Sequence, residues 1–480
     1  MKRSISVSIA VAATMAFGAS NSDLAVLKAE IEALKKEVAA LKEAKTENQK
    51  TSSDLKKLNQ KVNEIKAHDA NDNIKWGVDI RTASDSLNYT MADGSKKSND
   101  ALMSTRLWLN MAYAPDTNNI FKGQLAYNKA FGADFGGMAG SRGWGMDTFD
   151  WVTNEALSGN GLKVKEAYWL YMGDSIGETN IPWTASVGRR PSTNGFLVNL
   201  RDDDSAQSPL GHNINVEFDG ASAGVNLENV SEVPGMNFKV CLGQGSTSAT
   251  PMFGGPANYS DDNSIDDITM AGFIFVPYDN GQYSIKTNYF RAYNLPGMVN
   301  PMDPTAGFKT VGNMDGLAIS GLIDGIGEDG ILAETKLFAS FAASKTNPDN
   351  SETMLGSSDN KTGTSYWLGA QIPVLGGDFG VEFNHGSKYW RSFTYGEDTM
   401  AGSKLAVRGD AWEAYYTYPI TTALSLQARY TYIDYDYSGS NGFFGGEGAP
   451  MTMNEAIGAG MGGMVVDKAS DLRFYVRYRY

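Results

Sequence analysis

The chain has 480 residues, 53 of them Gly, with one Cys, three His and a formal charge of −14. That length suits several soluble domains or one large barrel, and the single Cys241 excludes an intrachain disulfide framework, a multi-cysteine metal site and haem attachment. The acidic balance argues against nucleic acid, whose binders carry basic stripes.

Residues 1–20 open with Lys2 and Arg3, continue through an apolar stretch from Ile5 to Phe17 and close on small residues. This is the pattern of a secretory signal peptide, and its apolar core is too short to span a bilayer. Residues 21–70 follow as a coiled-coil segment. Leu24, Ile31 and Val38 fall at a and Leu27, Leu34 and Leu41 at d, a heptad seam. In that register Glu30 faces Lys35, and Glu37 faces Lys42, on a neighbouring parallel chain. β-Branched a residues with Leu at d lean toward two strands. The alternative is one helix packed on its own barrel. The seam breaks at Lys45, Asn48 and Ser52 and restarts at Leu55, so two helical pieces are expected, about 60 Å long in all at about 1.5 Å per residue.

Residues 71–480 alternate strand-like runs with tight turns and much longer inserts rich in Gly, Asn and Asp. Short and long connections in strict alternation are the pattern of a transmembrane barrel, which hides its apolar band in a period of two. Tight turns are expected near residues 115–119, 173–180, 233–236, 279–281, 325–330, 375–377 and 420–423. The long inserts are expected near 91–101, 132–160, 191–211, 246–264, 294–312, 345–362, 391–406 and 438–469. The count predicts an all-β transmembrane barrel of about 16 antiparallel strands, preceded by the α-helical coiled coil. An even number puts both barrel ends on the periplasmic side.

Alternation assigns a lipid face to Leu107, Leu109, Met111 and Tyr113, and to Trp412, Ala414, Tyr416 and Tyr418. The opposite faces supply a polar lumen: Arg81, Arg106, Lys122, Arg190 and Arg429, with Asn110, Gln124, Lys286, Asn288, Glu382, Asn384 and Gln427. The run Met270 to Pro277 is apolar on both faces and fits neither assignment; a subunit contact or a lumen plug would tolerate it.

The final ten residues, DLRFYVRYRY, place Leu472, Phe474, Val476, Tyr478 and Tyr480 on one face and Arg473, Arg477 and Arg479 on the other. This strand, ending on an aromatic, resembles the closing strand of Gram-negative outer-membrane β-barrels, although those most often end in Phe. The coiled coil, the barrel and the run Gly188-Arg189-Arg190-Pro191-Ser192-Thr193 together resemble a porin-like outer-membrane family with no assigned substrate. Closure makes the first and last strands neighbours, so Arg81 and Arg106 should share one basic sector with Arg473, Arg477 and Arg479.

The resemblance implies more. In sixteen-stranded porins the third insert folds inward and narrows the channel, its acidic residues facing an arginine cluster across the gap. Asp202, Asp203 and Asp204 take that place here, opposite the basic sector, although the Pro-Glu-Phe-Gly-Gly sequence of many general porins is absent. The plainer reading of three consecutive aspartates is a solvated loop or a surface calcium contact. A basic wall and an acidic loop together imply weak ion selectivity without a preferred sign.

Signals for chemistry are thin. His68, His212 and His385 are far apart, without metal-ligand spacing, and read as core or loop histidines. Gly458-x-Gly460-x-x-Gly463 has the form of a dinucleotide fingerprint but lacks the strand-turn-helix unit that gives it meaning. Neither Asp434-x-Asp436 nor Asp261-Asp262 forms a coordination loop. The sequence therefore predicts a non-enzymatic outer-membrane porin, without cofactor or resident metal, passing small hydrophilic solutes or ions through a water-filled barrel. Its expected partners are outer-membrane lipid, copies of itself (a trimer, as porins form) and the cell wall. The alternatives are an envelope tether with the coiled coil as periplasmic spacer, or a barrel sheath around a partner protein.

Overall fold

A computed structural model describes residues 74–132, 157, 161–190, 194–215, 217–247, 249, 259–260, 265–300, 307–327, 329–394, 399–440 and 448–480. The signal peptide, the coiled-coil seam and Asp261-Asp262 lie outside the described residues.

Sixteen strands form a closed barrel. In order around the wall they are β1 (Lys75–Met91), β2 (Lys96–Tyr113), β3 (Asn119–Ala130), β4 (Lys163–Gly173), β5 (Trp183–Arg190), β9 (Phe218–Asn226), β10 (Asn237–Ser246) and β11 (Ile268–Asp279). The wall continues through β12 (Tyr283–Met298), β13 (Phe308–Asp324), β14 (Lys336–Pro348), β15 (Thr362–Val374), β16 (Gly377–Gly386), β18 (Gly409–Pro419), β19 (Leu424–Tyr435) and β20 (Val466–Arg479). Each pairs antiparallel with its neighbours, and β20 closes on β1 with Arg81 opposite Arg477 and Asp85 opposite Arg473. Among the described residues, four short strands lie in the inserts: β6 (Gly195–Phe196), β7 (Gln207–Leu210), β8 (Ile214–Asn215) and β17 (Phe393–Thr394).

The seven expected tight turns all fall between consecutive wall strands at one end of the barrel. The shortest joins β15 to β16 through Leu375 (φ 51°) and Gly376 (φ 78°), the left-handed pair that a two-residue hairpin needs. The expected first long insert is a correction. Residues 91–101 are mostly strand, because β2 begins at Lys96 and its first residues pair with the end of β1. Lys96, Lys97, Ser98 and Asn99 are polar and exposed on both faces, so they carry no alternation and read as loop.

Alternation sorts the wall as expected. Leu472, Phe474, Val476, Tyr478 and Tyr480 are exposed on the outer face, while Asp471, Arg473, Tyr475 and Arg477 are buried inside. At the Gln124–Leu125 position a bulge turns both Lys165 and Glu166 inward. Inside the barrel the third insert (residues 191–217) and the seventh (residues 387–408) meet, β8 pairing in parallel with β17. Phe196, Leu197, Val198, Leu200, Leu210, Trp390 and Leu405 from these inserts pack on Ile274, Ala318, Phe338, Ala342 and Trp367 of the wall. This accounts for the run at residues 270–277: Phe273 and Phe275 point outward, and Ile274 points into the apolar packing around the inserts.

Phe474 sits mid-strand, opposite Ala428 and Ser84, and is 54% exposed. If the outer belt meets lipid, Phe474→Arg should cost about 2–4 kcal/mol in guanidine-dependent folding into vesicles. A loss below about 0.5 kcal/mol would assign that face to something other than hydrocarbon.

Candidate functional site in the barrel lumen

At the closure seam, period-two alternation turns Asp79, Arg81 and Asp85 of β1 inward alongside Arg106 of β2 and Arg473 and Arg477 of β20. Arg477 is the junction. Its Nε donates to Asp79 Oδ1 at 3.0 Å, its Nη1 to the backbone carbonyl of Asp202 at 2.7 Å and its Nη2 to Asp204 Oδ1 at 2.7 Å. Arg479 Nη1 donates to the Asp203 carbonyl at 2.8 Å and to Asp204 Oδ1 at 2.9 Å, and the Tyr475 hydroxyl donates to Asp202 Oδ1 at 2.7 Å. Arg473 donates to Asp85, and Arg106 lies 3.5 Å from Asp79 Oδ2.

Arg81, Arg106, Arg473, Arg477 and Arg479 are thus one sector, and Asp202–Asp204 touch it directly rather than across a gap. The third insert carries these aspartates inward because the apolar run ahead of them, Phe196 to Leu200, is buried and Asp203 turns the chain at φ 51°. Burial pushes the Asp204 carboxyl above its ordinary range, Arg477 opposing the rise and Asp202 adding to it.

A second centre gathers on Glu413 of β18, which is buried. Arg201 Nη1 of the third insert donates to its two oxygens at 3.0 and 3.3 Å, and Lys404 Nζ of the seventh insert donates at 2.6 Å. Thr431 donates at 2.7 Å, and Arg429 Nε lies 4.0 Å away. Lys404 also bonds Glu382, which accepts from Trp367 Nε1 at 3.0 Å. Wall amides hold the insert backbone: Gln427 Nε2 donates to the Arg201 carbonyl at 2.9 Å and Gln371 Nε2 to that of Leu200 at 3.2 Å. Asp79, Asp85, Lys404 and Glu413 were not singled out from the sequence. Parity could have found Asp79 and Asp85 beside Arg81, and Glu413 between outward Trp412 and Ala414; nothing local in the sequence marks Lys404.

His212, in the third insert, is fully buried, its Nδ1 2.7 Å from Ser340 Oγ and its Nε2 2.9 Å from Ser365 Oγ, with Trp367 and Trp390 edge-on. A neutral imidazole serves both serines, donating through one nitrogen and accepting through the other. Burial pushes its pKa down to about 3, against a smaller raising effect from Asn384. His385 is instead at the outer rim, its Nδ1 2.7 Å from Asp410 Oδ1. Lys122 and Arg190 stand apart from the seam cluster. Lys122 is exposed on β3, and the Arg190 guanidinium lies 4.0 Å over the Tyr168 ring. The glycine fingerprint falls at the end of a helix, Met453–Gly458, rather than before one, where a phosphate site would need it. Among the described residues no group of three or more His, Cys, Asp or Glu is placed to hold a metal ion.

A family model described as "Protein of unknown function (DUF3373)" matches residues 96–480. The chain belongs to the DUF3373 family. No curated protein matches this DUF3373 chain. Among solved structures it is similar to Salmonella typhi OmpF in complex with daunomycin, at 12% identity and TM-score 0.45, covering 86% of this chain and 99% of that one. It is also similar to Pseudomonas putida OprB at high pH, at 12% identity and TM-score 0.47, covering 85% and 94% respectively. Vibrio cholerae OmpT in its trimer form matches at 11% identity and TM-score 0.44, covering 85% and 99%. The family description assigns no activity to DUF3373 chains, so a functional reading rests on the lumen itself.

Two outcomes follow. Glu413→Gln leaves Arg201, Lys404 and Arg429 without their shared anion, so folding stability in guanidine should fall by about 3–5 kcal/mol; a loss below about 1 kcal/mol would show that Glu413 does not hold the inserts. For His212 the folded pKa lies below the unfolded value near 6.5, so its contribution is complete above that pH and declines as pH falls toward 3, by at most about 1.4 kcal/mol per unit. Between pH 6 and 5, wild type should lose stability more steeply than His212→Gln, and equal slopes would contradict this.

Proposed function

We propose that the protein is an outer-membrane channel for small hydrophilic solutes or ions, its bore narrowed from within by the third and seventh inserts. The observation that carries this reading is the closed sixteen-stranded wall, apolar outside and lined along its β1, β2 and β18–β20 sector by buried charged and polar side chains. Such a wall suits lipid on one side and a hydrated path on the other. The narrowest part is assigned to Asp202, Asp203 and Asp204 with Arg477 and Arg479, where insert and wall touch. Below it, toward the tight turns, exposed Lys122 and part-exposed Lys286 and Lys336 line the mouth.

Arg81, Arg106, Arg429, Arg473 and Arg477 stand among Asp79, Asp85, Asp202, Asp204 and Glu413, so the basic sector is largely neutralised where the path is narrowest. Weak ion selectivity follows, because a ring of fixed charge selects only when it is unbalanced. Export through residues 1–20, self-association through residues 21–70, assembly as a trimer and cell-wall contact belong to the same proposal. It assigns no chemistry to the chain and gives it no cofactor.

Planar-bilayer recording of the refolded full chain tests the reading. Small stepwise conductances are expected, rising several-fold when residues 196–210 are replaced by a short Gly-Ser linker. No stepwise conductance from either protein would overturn it and favour an envelope tether.

A further inference from the structure

Between the third insert and the wall formed by β9 to β12 lies a cavity of ≈ 90 Å³. It is open because Gly220, Gly243 and Gly272 occupy inward positions on three adjacent strands. A Cβ on Gly220 or Gly272 would fall 2.0 or 2.4 Å from a neighbouring backbone oxygen, so side chains cannot be added there without moving the wall. Ile214, Phe218, Met270, Ile274 and Phe290 supply apolar sides.

Polar groups that reach the same space include Arg190, Lys239 and Asn288, beside Ser222 and Cys241. The Tyr168 ring covers the face of the Arg190 guanidinium, and Arg190 Nη1 is buried with no hydrogen-bond partner. Asn288 is 1% exposed, and its Oδ1 is likewise an acceptor with nothing donating to it. A buried polar atom left without a partner is destabilising, more so beside a charge. Two cations, one with an unused donor, beside apolar walls specify a ligand of one kind: a single negative charge on an apolar body.

We propose that this cavity binds a small apolar monocarboxylate, with its carboxylate on Arg190 near Lys239 and its carbon chain against Ile214, Met270, Ile274 and Phe290. A space of ≈ 90 Å³ limits that chain to a short one. A hydroxyl or N–H on that chain would satisfy Asn288 Oδ1. Binding at equilibrium needs no conduction, so the assignment stands or falls independently of the channel reading.

The test is calorimetric titration of the full chain, folded in lipid nanodiscs, with hexanoate, hexanamide and acetate. Hexanoate is expected to saturate one site, with hexanamide, which lacks the charge, and acetate, which lacks the chain, each at least about tenfold weaker. Arg190→Gln should weaken hexanoate about tenfold, the loss of roughly 1.4 kcal/mol, while Arg190→Lys retains part of the affinity. Acetate binding as tightly as hexanoate would reduce the site to a general anion contact and overturn the proposal. So would hexanamide binding as tightly as hexanoate, or Arg190→Gln leaving a correctly folded barrel with unchanged affinity. If Arg190→Gln does not fold, the comparison of the three probes on wild type decides alone.

Discussion

Both inserts depend on one buried carboxylate. Glu413 stands on the wall, yet its partners come from three places: Arg201 from the third insert, Lys404 from the seventh, and Thr431 and Arg429 from the neighbouring strand. A buried ion pair gains little over an apolar substitute in net stability, but losing one partner leaves an uncompensated charge in a low-dielectric interior. Glu413 therefore ties both inserts to one point of the wall.

Around that centre the lumen divides into two unlike halves. At the level of Asp79 to Asp85 on β1 it is a network of arginines and carboxylates, giving way along the same strands to an apolar cluster of Leu87, Val407, Ile433 and Ala469, and toward β11 to β15 it is an apolar core of insert residues against Ile274, Phe338 and Trp367. Each half enforces the other. The apolar side supplies the driving force for burial of insert residues, about 1.5–3 kcal/mol for each large side chain fully removed from water, while the charged side fixes the register at which the inserts sit. A hydrated path is confined to what these two packings leave, which is why the proposed channel is a narrow one and why its charge is nearly balanced at the tightest point.

The wall was legible from the sequence because alternation is a local signal: Leu472 and Phe474 against Arg473 and Tyr475 can be sorted by counting alone. Closure was legible too, since a transmembrane sheet can leave no unpaired edge, and it brought Arg81 opposite Arg477. The filling of the lumen was legible only in part: the resemblance to porins turned the third insert inward, but nothing pointed to the seventh or to the packing of the two together. Inserts rich in Gly, Asn and Asp look solvated, and the partners that bury them are hundreds of residues away, as Arg201 is from Glu413. The clues present were non-local in meaning: an apolar run from Phe196 to Leu200 inside an insert, and a strand at residues 270–277 apolar on both faces. Lys404 and His212 had no pattern to mark them, because each is defined only by what surrounds it in three dimensions.

Disulfide trapping tests whether the third and seventh inserts meet inside the barrel. Asn215 and Thr394 are partners in the parallel β8–β17 pair and are both buried. Adjacent strands lie about 4.8 Å apart, within the range a disulfide spans. In a Cys241→Ala background, the pair Asn215→Cys and Thr394→Cys should cross-link almost completely on mild oxidation of the folded, membrane-inserted protein, giving a band shift that reductant reverses. Cross-linking no greater than for Asn215→Cys paired with Leu375→Cys at the exposed turn would contradict it.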